Sequence, residues 1–376
     1  MKRSVIAVVF DNNGILRDSV KYLINQLSCI SDYFVITVNG EIDDEEFLKE
    51  RADKLIFRDN KGFDAGAIKA AYFNKEVNRR VKESDEVIFC NDTFWGPFID
   101  MRKIFDQMSA RPKCDFWGLN LSESFLLRFL QSYFLVFKRK VIESGVIDDI
   151  LTGKIDEKSM DFNSILLNYE RGLFEELIDM GYSYDAYCVQ NHHVFDAYDL
   201  SIIKDKLPIL KKKAFTPKYY DNRRTKNALK YIIDHYDYPI EIILRDLKDK
   251  HRISITREEI EHSEYDVRNE KSVEKTTITK RDLIDFVKES DALYIYGAGE
   301  IARIITEIIG SEKIKGYVVT EREGSKNTYL NKPVYGCHDI DLSSETLIFG
   351  MGREHTASAI KNINSCHRVL DLWGFM

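Results

Sequence analysis

Short apolar runs alternate with amphipathic segments along the first hundred residues of the chain. β-branched runs occupy residues 4–10, 33–40, 54–60 and 86–90, and three of them end in or next to an Asn or Gly. Between the first two, Val20, Leu23, Ile24 and Leu27 recur at helical spacing. Buried strands that alternate with helices are typical of βα units, so the pattern predicts an α/β fold with a mostly parallel sheet.

The character of the chain changes after residue 250. Residues 257–275 include 11 charged residues in 19 and contain no Gly or Pro, which indicates a solvated connector. A new βα pattern begins at Ala292. Since 376 residues exceed one ordinary core, we predict a first domain at 1–250, a charged helical connector at 251–285 and a small second domain at 286–376.

Charge and cysteine content narrow the classes of function. The chain carries 55 Lys and Arg against 62 Asp and Glu, a net charge of −7, which argues against a nucleic-acid partner. The six cysteines form no CxxC pair, as expected for reduced thiols in the cytoplasm. The first apolar run is too short for a signal peptide, and residues 125–137 are too few to span a bilayer.

Polar residues follow each of the first four predicted strands. Asp11 and Asn39 follow the first two, and the segments 60–66 and 90–97 follow the next two. The carboxyl ends of parallel strands share one edge of a sheet, where ligands bind, so we expect these residues to lie close together.

The segment 60–66, NKGFDAG, supplies Asn60, Gly62 and Asp64 as candidates for substrate binding. Gly62 and Gly66 permit a tight turn and a close backbone approach to a ligand, and Asp64 offers a carboxylate to a base, a ribose or a metal. The alternative is a plain strand-to-helix turn with an Asp cap.

The segment NDT at 91–93 places one carboxylate, Asp92, between the side-chain oxygens of Asn91 and Thr93. Such a set suits Mg²⁺ or Mn²⁺ when phosphates and water complete the coordination. The alternative is an Asx-turn that shapes the bend before Gly96 and Pro97. The spacing leaves both interpretations open.

Six runs in this order resemble the rhamnan-synthesis F family of bacterial polysaccharide glycosyltransferases: RDNKGFDAG, FCNDTFWGP, CDFWGLN, FLQSYFLVFKRKVIES, YERGLFEELIDMGY and LPILKKKAF. The resemblance covers roughly residues 4–250. The family is similar to inverting GT-A enzymes, so the resemblance implies a GT-A-like domain, a nucleotide-sugar donor and a glycan or lipid-linked acceptor. Rhamnose carried on deoxythymidine diphosphate is one candidate donor.

The resemblance also implies roles for particular residues. The strand that ends at Asn91 and Asp92 takes the place of the DxD motif, but here only Asp92 is acidic. Either Asp92 holds a divalent metal, or Asn91 and Thr93 hydrogen-bond the diphosphate directly. YERGLFEELIDMGY resembles the helix whose N-terminal acid is the general base, which makes Glu170 the preferred catalytic residue. An exposed helix acid is the alternative.

Further candidates surround these. The three lysines of the KKK run, Lys211, Lys212 and Lys213, are candidates to neutralise the leaving diphosphate, although a solvated run is the alternative. Gln131 and Ser132 precede a buried-looking strand and are candidates for substrate binding. Trp95, with Phe116 and Trp117, suits either the floor of a sugar site or the core.

A glycine-rich turn marks the second domain. In ALYIYGAGEIARIITEII, Gly297, Ala298, Gly299 and Ala302 fit GxGxxA between a predicted strand and an amphipathic helix. This region resembles the small GAGxxG modules of bacterial surface-sugar enzymes, which suggests nucleotide or nucleotide-sugar binding. The alternative is a Rossmann-like unit that only packs or dimerises.

Together these features predict an inverting glycosyltransferase of surface-polysaccharide synthesis, with a nucleotide-sugar donor. The alternative is a non-catalytic nucleotide-sugar binding or scaffold protein of the same pathway. We expect neither a transmembrane segment nor a nucleic-acid partner. The expected location is the cytoplasm, and peripheral association with the inner face of the membrane remains open.

Overall fold

The computed structural model describes residues 1–156, 166–266, 275–321, 327–363 and 366–375. The chain divides into two compact units. The first consists of Met1–Ser122 and Phe129–Ser272, and the second of Glu123–Arg128 and Val273–Met376. Residues of the predicted connector, 251–285, are therefore shared between the two units. The domain limits at 250 and 286 stay a prediction.

Among the described residues, ten strands precede the second unit's own sheet. They are β1 (Arg3–Val9), β2 (Tyr33–Asn39), β3 (Lys54–Arg58), β4 (Glu86–Asn91), β5 (Phe94–Trp95), β6 (Phe116–Ser124), β7 (Leu127–Leu130), β8 (Phe134–Lys138), β9 (Tyr184–Val189) and β10 (Leu210–Lys211).

The helices over the same part of the chain are α1 (Asp18–Ser28), α2 (Glu45–Lys49), α3 (Phe63–Tyr72), α4 (Lys75–Lys82), α5 (Met101–Ser109), α6 (Arg139–Ser144), α7 (Val146–Lys154), α8 (Gly172–Asp179), α9 (Tyr198–Ile203), α10 (Asn222–His235), α11 (Ile240–His251) and α12 (Arg257–Glu261). A π-helical turn, Leu166–Arg171, precedes α8, and a 3₁₀ turn, Lys212–Phe215, follows β10.

The main sheet runs in the order β3-β2-β1-β4-β8-β6-β7, with β9 beside β6. β1 pairs in parallel with β2 and β4, and β2 with β3, whereas β8 is antiparallel to both β4 and β6. The four strands predicted from the apolar runs are confirmed, and so is the mostly parallel α/β class. The order 3-2-1-4 is that of doubly wound folds, which bind ligands at the carboxyl ends of their strands.

Burial explains why these strands are apolar throughout. Every residue of β2 and β4 is buried, as expected for parallel strands in a sheet that is covered on both faces. A second core packs Trp95 and Phe215 against the apolar faces of α10, α11 and α12, and includes Ile260. The first unit therefore continues beyond residue 250 into the charged segment.

The second unit contains its own six-stranded sheet, in the order β13-β14-β12-β11-β15-β16. Its strands are β11 (Leu293–Tyr296), β12 (Ile314–Val319), β13 (Thr328–Tyr329), β14 (Lys332–Gly336), β15 (Thr346–Phe349) and β16 (Arg368–Asp371). Its helices are α13 (Lys280–Lys288), α14 (Glu300–Ile309) and α15 (Arg353–Ala359).

All pairings in this second sheet are parallel except that of β13 with β14. Buried isoleucines of α14, Ile304 and Ile305, pack in the same core as Ile295 and Tyr317 of the sheet. The βα pattern predicted from Ala292 onward is confirmed. Within the described part of the chain, helices that combine the length and the apolar character needed to cross a bilayer are absent.

Candidate active site

The carboxyl end of β4 is a tight turn built on Asn91. Its side-chain oxygen accepts hydrogen bonds from the Thr93 hydroxyl at 2.7 Å and the Thr93 backbone N–H at 3.3 Å. Its amide group donates to the carboxylate of Asp64 at 2.6 Å. The Asn91 side chain therefore forms the Asx-type turn through Thr93 and also joins the ends of two strands through Asp64.

Asp64 enters this turn from the start of α3. Gly62 precedes that helix with a φ of 69°, a left-handed conformation that glycine adopts at little cost. The Asp64 carboxylate also accepts a hydrogen bond from the Ala65 N–H at 3.0 Å. Burial raises the pKa of Asp64, although the hydrogen bonds and the charge of Lys211 act in the opposite direction.

Lys211 faces the same turn from β10. Its ammonium group donates to the Thr93 hydroxyl at 2.6 Å and lies 4.2 Å from the centre of the Tyr133 ring. The side chain is buried, and this burial lowers the pKa of Lys211 to about 8 even though the charges of Glu170 and Asp64 favour its protonated form. A cation is thus held close to two carboxylates inside the protein.

Glu170 lies in the π-helical turn that precedes α8, a kind of distortion that is frequent at functional sites. Burial raises the pKa of Glu170 to about 7, the charge of Asp64 adds to the increase, and the charge of Lys211 and a hydrogen bond from the Ser132 N–H oppose it. Its surroundings include the apolar side chains of Leu130 and Phe174. This carboxyl group can therefore accept a proton near neutral pH.

Lys212 and Asp92 form the other side of the turn. The Lys212 ammonium donates to the Asp92 carbonyl oxygen at 2.8 Å, and the Asp92 carboxylate accepts from the Phe10 N–H at 3.2 Å. Burial raises the pKa of Asp92, and the charges of Lys212 and Lys250 oppose that increase. A short antiparallel ladder between β5 and β10 holds Lys211 and Lys212 beside this turn.

Asp11 lies in a neighbouring buried network at the end of β1. Its carboxylate accepts from Arg17 at 2.8 Å, from the Asn13 N–H at 2.9 Å and from Lys250 at 3.2 Å. Burial alone would raise the pKa of Asp11, but these donors and the positive charges lower it below its ordinary value. Asp11 is therefore ionised and bound within the protein.

The sequence profile described as rhamnan synthesis protein F matches residues 34–284, more than half of the chain. The chain belongs to the rhamnan synthesis protein F family. Membership relates it to proteins named for the synthesis of a polysaccharide, in agreement with the resemblance seen in its motifs.

A curated relative matches a shorter part of the chain. Virulence protein VirA of Vibrio anguillarum is 27% identical over 147 residues, which cover 39% of the present chain and 46% of VirA. The chain thus matches less than half the length of that curated relative.

Two solved structures show weak similarity to the fold. A TarS fragment from S. aureus aligns with a TM-score of 0.29 at 12% identity, over 77% of the present chain and 80% of that one. Glucosyl-3-phosphoglycerate synthase from Mycobacterium tuberculosis, in complex with Mn²⁺ and UDP, aligns with a TM-score of 0.24 at 12% identity, over 37% and 58%.

The other candidates for substrate binding make contacts of their own. Asn60 is half-buried in the loop before α3, and Gln131 donates its backbone N–H to Asn120 at 3.0 Å. Lys213 is exposed, with its ammonium 5.4 Å from the centre of the Phe195 ring.

Trp95 lies in the core of the first unit. It is 0% exposed, its indole N–H donates to Asp246 at 2.8 Å, and its ring packs against Phe215. Phe116 and Trp117 are also buried, at 1% exposure each. These three rings therefore lie in the core, and none of them presents a face to solvent that could form the floor of a sugar site.

Sequence reasoning missed four residues around the turn. Lys250 and Asp246 come from α11, Arg17 precedes α1, and Tyr169 lies next to Glu170. The Tyr169 hydroxyl is buried and has no hydrogen-bond partner among the described residues. Only a polar residue in an otherwise apolar helix stripe, such as Asp246 on α11, offered a signal in the sequence.

The side chains at the turn provide a poor site for a divalent metal. The Asp92 carboxylate already accepts a hydrogen bond from the Phe10 N–H, and the ammonium group of Lys212 lies against the Asp92 backbone. Among the described residues, no three side chains of His, Cys, Asp or Glu are grouped as metal ligands would be. Without the phosphates of a bound donor, the residues present therefore do not supply the ligands that a divalent cation needs.

The glycine-rich turn of the second unit has a clear packing role at one position. Gly297 has a φ of 123°, and a Cβ there would lie 2.5 Å from the Gly350 carbonyl oxygen. Ala302 is fully buried beside that close approach, and Ala298 is half-buried. Gly299 differs, because a Cβ there would meet no atom within 4 Å.

Proposed function

We propose that this protein is a glycosyltransferase that moves a sugar from a nucleoside-diphosphate donor to a hydroxyl group of a glycan or lipid-linked acceptor. The observation that carries the proposal is the cluster of Asp64, Asn91, Glu170 and Lys211 at the carboxyl end of β4, in a member of the rhamnan synthesis protein F family. Substrates of doubly wound sheets bind at that edge.

The strand order 3-2-1-4, followed by the antiparallel β8, supports a GT-A-like arrangement of this first unit. In that arrangement the donor's diphosphate lies at the 91–93 turn. The leaving group gains negative charge as the glycosidic bond breaks, so positioned cations there lower the barrier. Lys211 and Lys212 both donate to this turn and supply such charge.

Glu170 is the proposed general base. In an inverting transfer, the acceptor oxygen forms a bond to the anomeric carbon while the bond from that carbon to the diphosphate breaks, and the nucleoside diphosphate leaves. The acceptor's hydroxyl proton passes to the Glu170 carboxylate. A base is most effective when its pKa lies near the working pH, and burial raises the pKa of Glu170 to about 7.

The finer assignments belong to the same proposal. The sugar is a hexose, with rhamnose carried on deoxythymidine diphosphate as the first candidate because of the family's name. We place the reaction in the cytoplasm or at the inner face of the membrane. The free cysteines of the described chain agree with a reducing compartment.

The experiment that tests the proposal is release of nucleoside diphosphate from a panel of nucleotide sugars, with and without a polysaccharide or lipid-linked acceptor. Release that depends on acceptor and is lost in Glu170→Gln supports the proposal. Donor binding without any turnover under all conditions would favour a non-catalytic binding protein. Absence of both binding and turnover across the panel would refute the function proposed here.

We also propose that the second unit binds a nucleotide or nucleotide sugar at the turn between β11 and α14. The open space next to Gly299, at the N-terminus of a ten-residue helix, supports this role, since helix N-termini bind phosphate. Calorimetric titration of the full chain with nucleotides tests it, with Gly299→Val as the variant that fills the space.

A further inference from the structure

We propose that Lys211 and Lys212 bind the diphosphate of the donor directly, so that this enzyme uses two ammonium groups in place of a divalent metal. The inference rests on the function proposed above. It assigns the ligand class, a nucleoside diphosphate, and the groups that neutralise it.

Geometry places the two cations on either side of one turn. Lys211 donates to the side chain of Thr93 at 2.6 Å, and Lys212 donates to the backbone oxygen of Asp92 at 2.8 Å. An ammonium group has three N–H donors, so a lysine that holds the turn through one of them can also hydrogen-bond a phosphate oxygen. The backbone N–H of Lys212 bonds the Thr93 carbonyl oxygen at 3.1 Å, which anchors this lysine further.

The electrostatics favour an anion beside these lysines. Burial lowers the pKa of Lys212, the charges of Asp92 and Asp246 oppose the decrease, and those of Lys250 and Arg17 add to it. Asp11 and Asp246 are already engaged by Arg17, at 2.8 Å and 3.8 Å. Lys212, Lys250 and Arg17 thus share this region with Asp11, Asp92 and Asp246, and a diphosphate would add negative charge that favours the protonated form of the buried Lys212.

The same arrangement disfavours a metal. A divalent cation bound to Asp92 would lie close to the ammonium group of Lys212, and the Asp92 carboxylate already accepts from the Phe10 N–H at 3.2 Å. Repulsion between the lysine and the metal would oppose metal binding at the place where the diphosphate is expected.

Calorimetric titration of the full chain with UDP, dTDP and GDP tests this inference, in EDTA and in Mn²⁺. We expect at least one nucleoside diphosphate to bind in EDTA with an affinity within about threefold of that in Mn²⁺. Lys212→Met should weaken this binding by about tenfold or more, because a charge-assisted hydrogen bond is lost. Lys212→Arg keeps the charge and should retain most of the affinity.

Lys248→Met is the matched control, since Lys248 is exposed on the helix that carries Lys250. Binding that requires Mn²⁺ would overturn the inference and leave the glycosyltransferase proposal standing. Equal affinity of the parent and a folded Lys212→Met would also overturn it. Absence of binding by all three nucleotides in both buffers would overturn both proposals, and the comparison of buffers needs no variant to fold.

Discussion

Replacement of Glu170 by Gln separates a catalytic role from a structural one, because a catalytic role predicts a large loss of turnover and a structural role predicts near-normal turnover. Gln keeps the shape of the side chain but cannot accept the acceptor's proton. If Glu170 is the general base, turnover should fall by roughly 10² to 10⁴ while donor affinity stays nearly unchanged. The folded protein should nevertheless become more stable at alkaline pH.

The size of that stabilisation follows from the environment of Glu170. Burial raises its pKa from 4.5 to about 7. One pKa unit corresponds to about 1.4 kcal/mol, so the ionised carboxylate costs the folded protein about 3 kcal/mol above pH 7. The cost is absent below about pH 4.5, where the carboxyl group is neutral in both states, and it develops as pH rises toward 7. Part of the gain in folding stability of the Glu170→Gln variant is offset, because Lys211 loses a neighbouring negative charge.

Chemical denaturation of both proteins at about pH 4.5 and about pH 8 measures this difference. We expect Glu170→Gln to exceed the parent's free energy of unfolding by about 1–3 kcal/mol at the higher pH and to match the parent at the lower pH. Initial rates and donor calorimetry on the same samples complete the assay. Asp179→Asn, an exposed acid at the end of α8, is the control and should change neither quantity.

Two results would refute the reasoning. Normal turnover in Glu170→Gln would exclude Glu170 as the base and direct attention to Asp64, the other carboxylate beside Lys211. A free energy difference that does not change with pH would show that Glu170 is not held in the environment that raises its pKa.

Three further predictions concern other residues. The dependence of turnover on pH should be bell-shaped, because turnover rises as Glu170 loses its proton near pH 7 and falls as Lys211 loses its proton near pH 8. The charges of Asp64 and Arg171 also act on Glu170. A flat profile from about pH 5 to about pH 10 would contradict this prediction. Asp92→Asn should lower turnover by about tenfold or more with an unchanged circular dichroism spectrum, because the charge of Asp92 helps to keep the buried Lys212 protonated; activity within about twofold of the parent would remove Asp92 from the site. Gly299→Val should abolish nucleotide binding by the second unit without unfolding it, as judged by calorimetry and thermal melting, and unchanged binding would make this turn purely structural.

The pattern of residues along the chain was sufficient to predict β1 to β4 and β8 of the main sheet and β11 of the second sheet. β-branched runs with no polar interruption indicate strands buried on two faces, and β1, β2 and β4 have this burial. The topology rule for parallel sheets then predicted that Asn91 and Asp64 would meet, and they are joined by a hydrogen bond of 2.6 Å. These predictions depend on local pattern and on the common direction of the strands.

The charge environment of the site was decided only by the tertiary structure. Lys212 bonds the backbone of Asp92 from 120 positions away, and Lys250 reaches Asp11 across 239 positions. Trp95 is similar, since its indole bonds Asp246 across 151 positions and this contact holds the ring in the core. No local pattern specifies such partners. Burial and neighbouring charge, which give Glu170 and Lys211 their altered pKa values, exist only once distant segments of the chain have packed together.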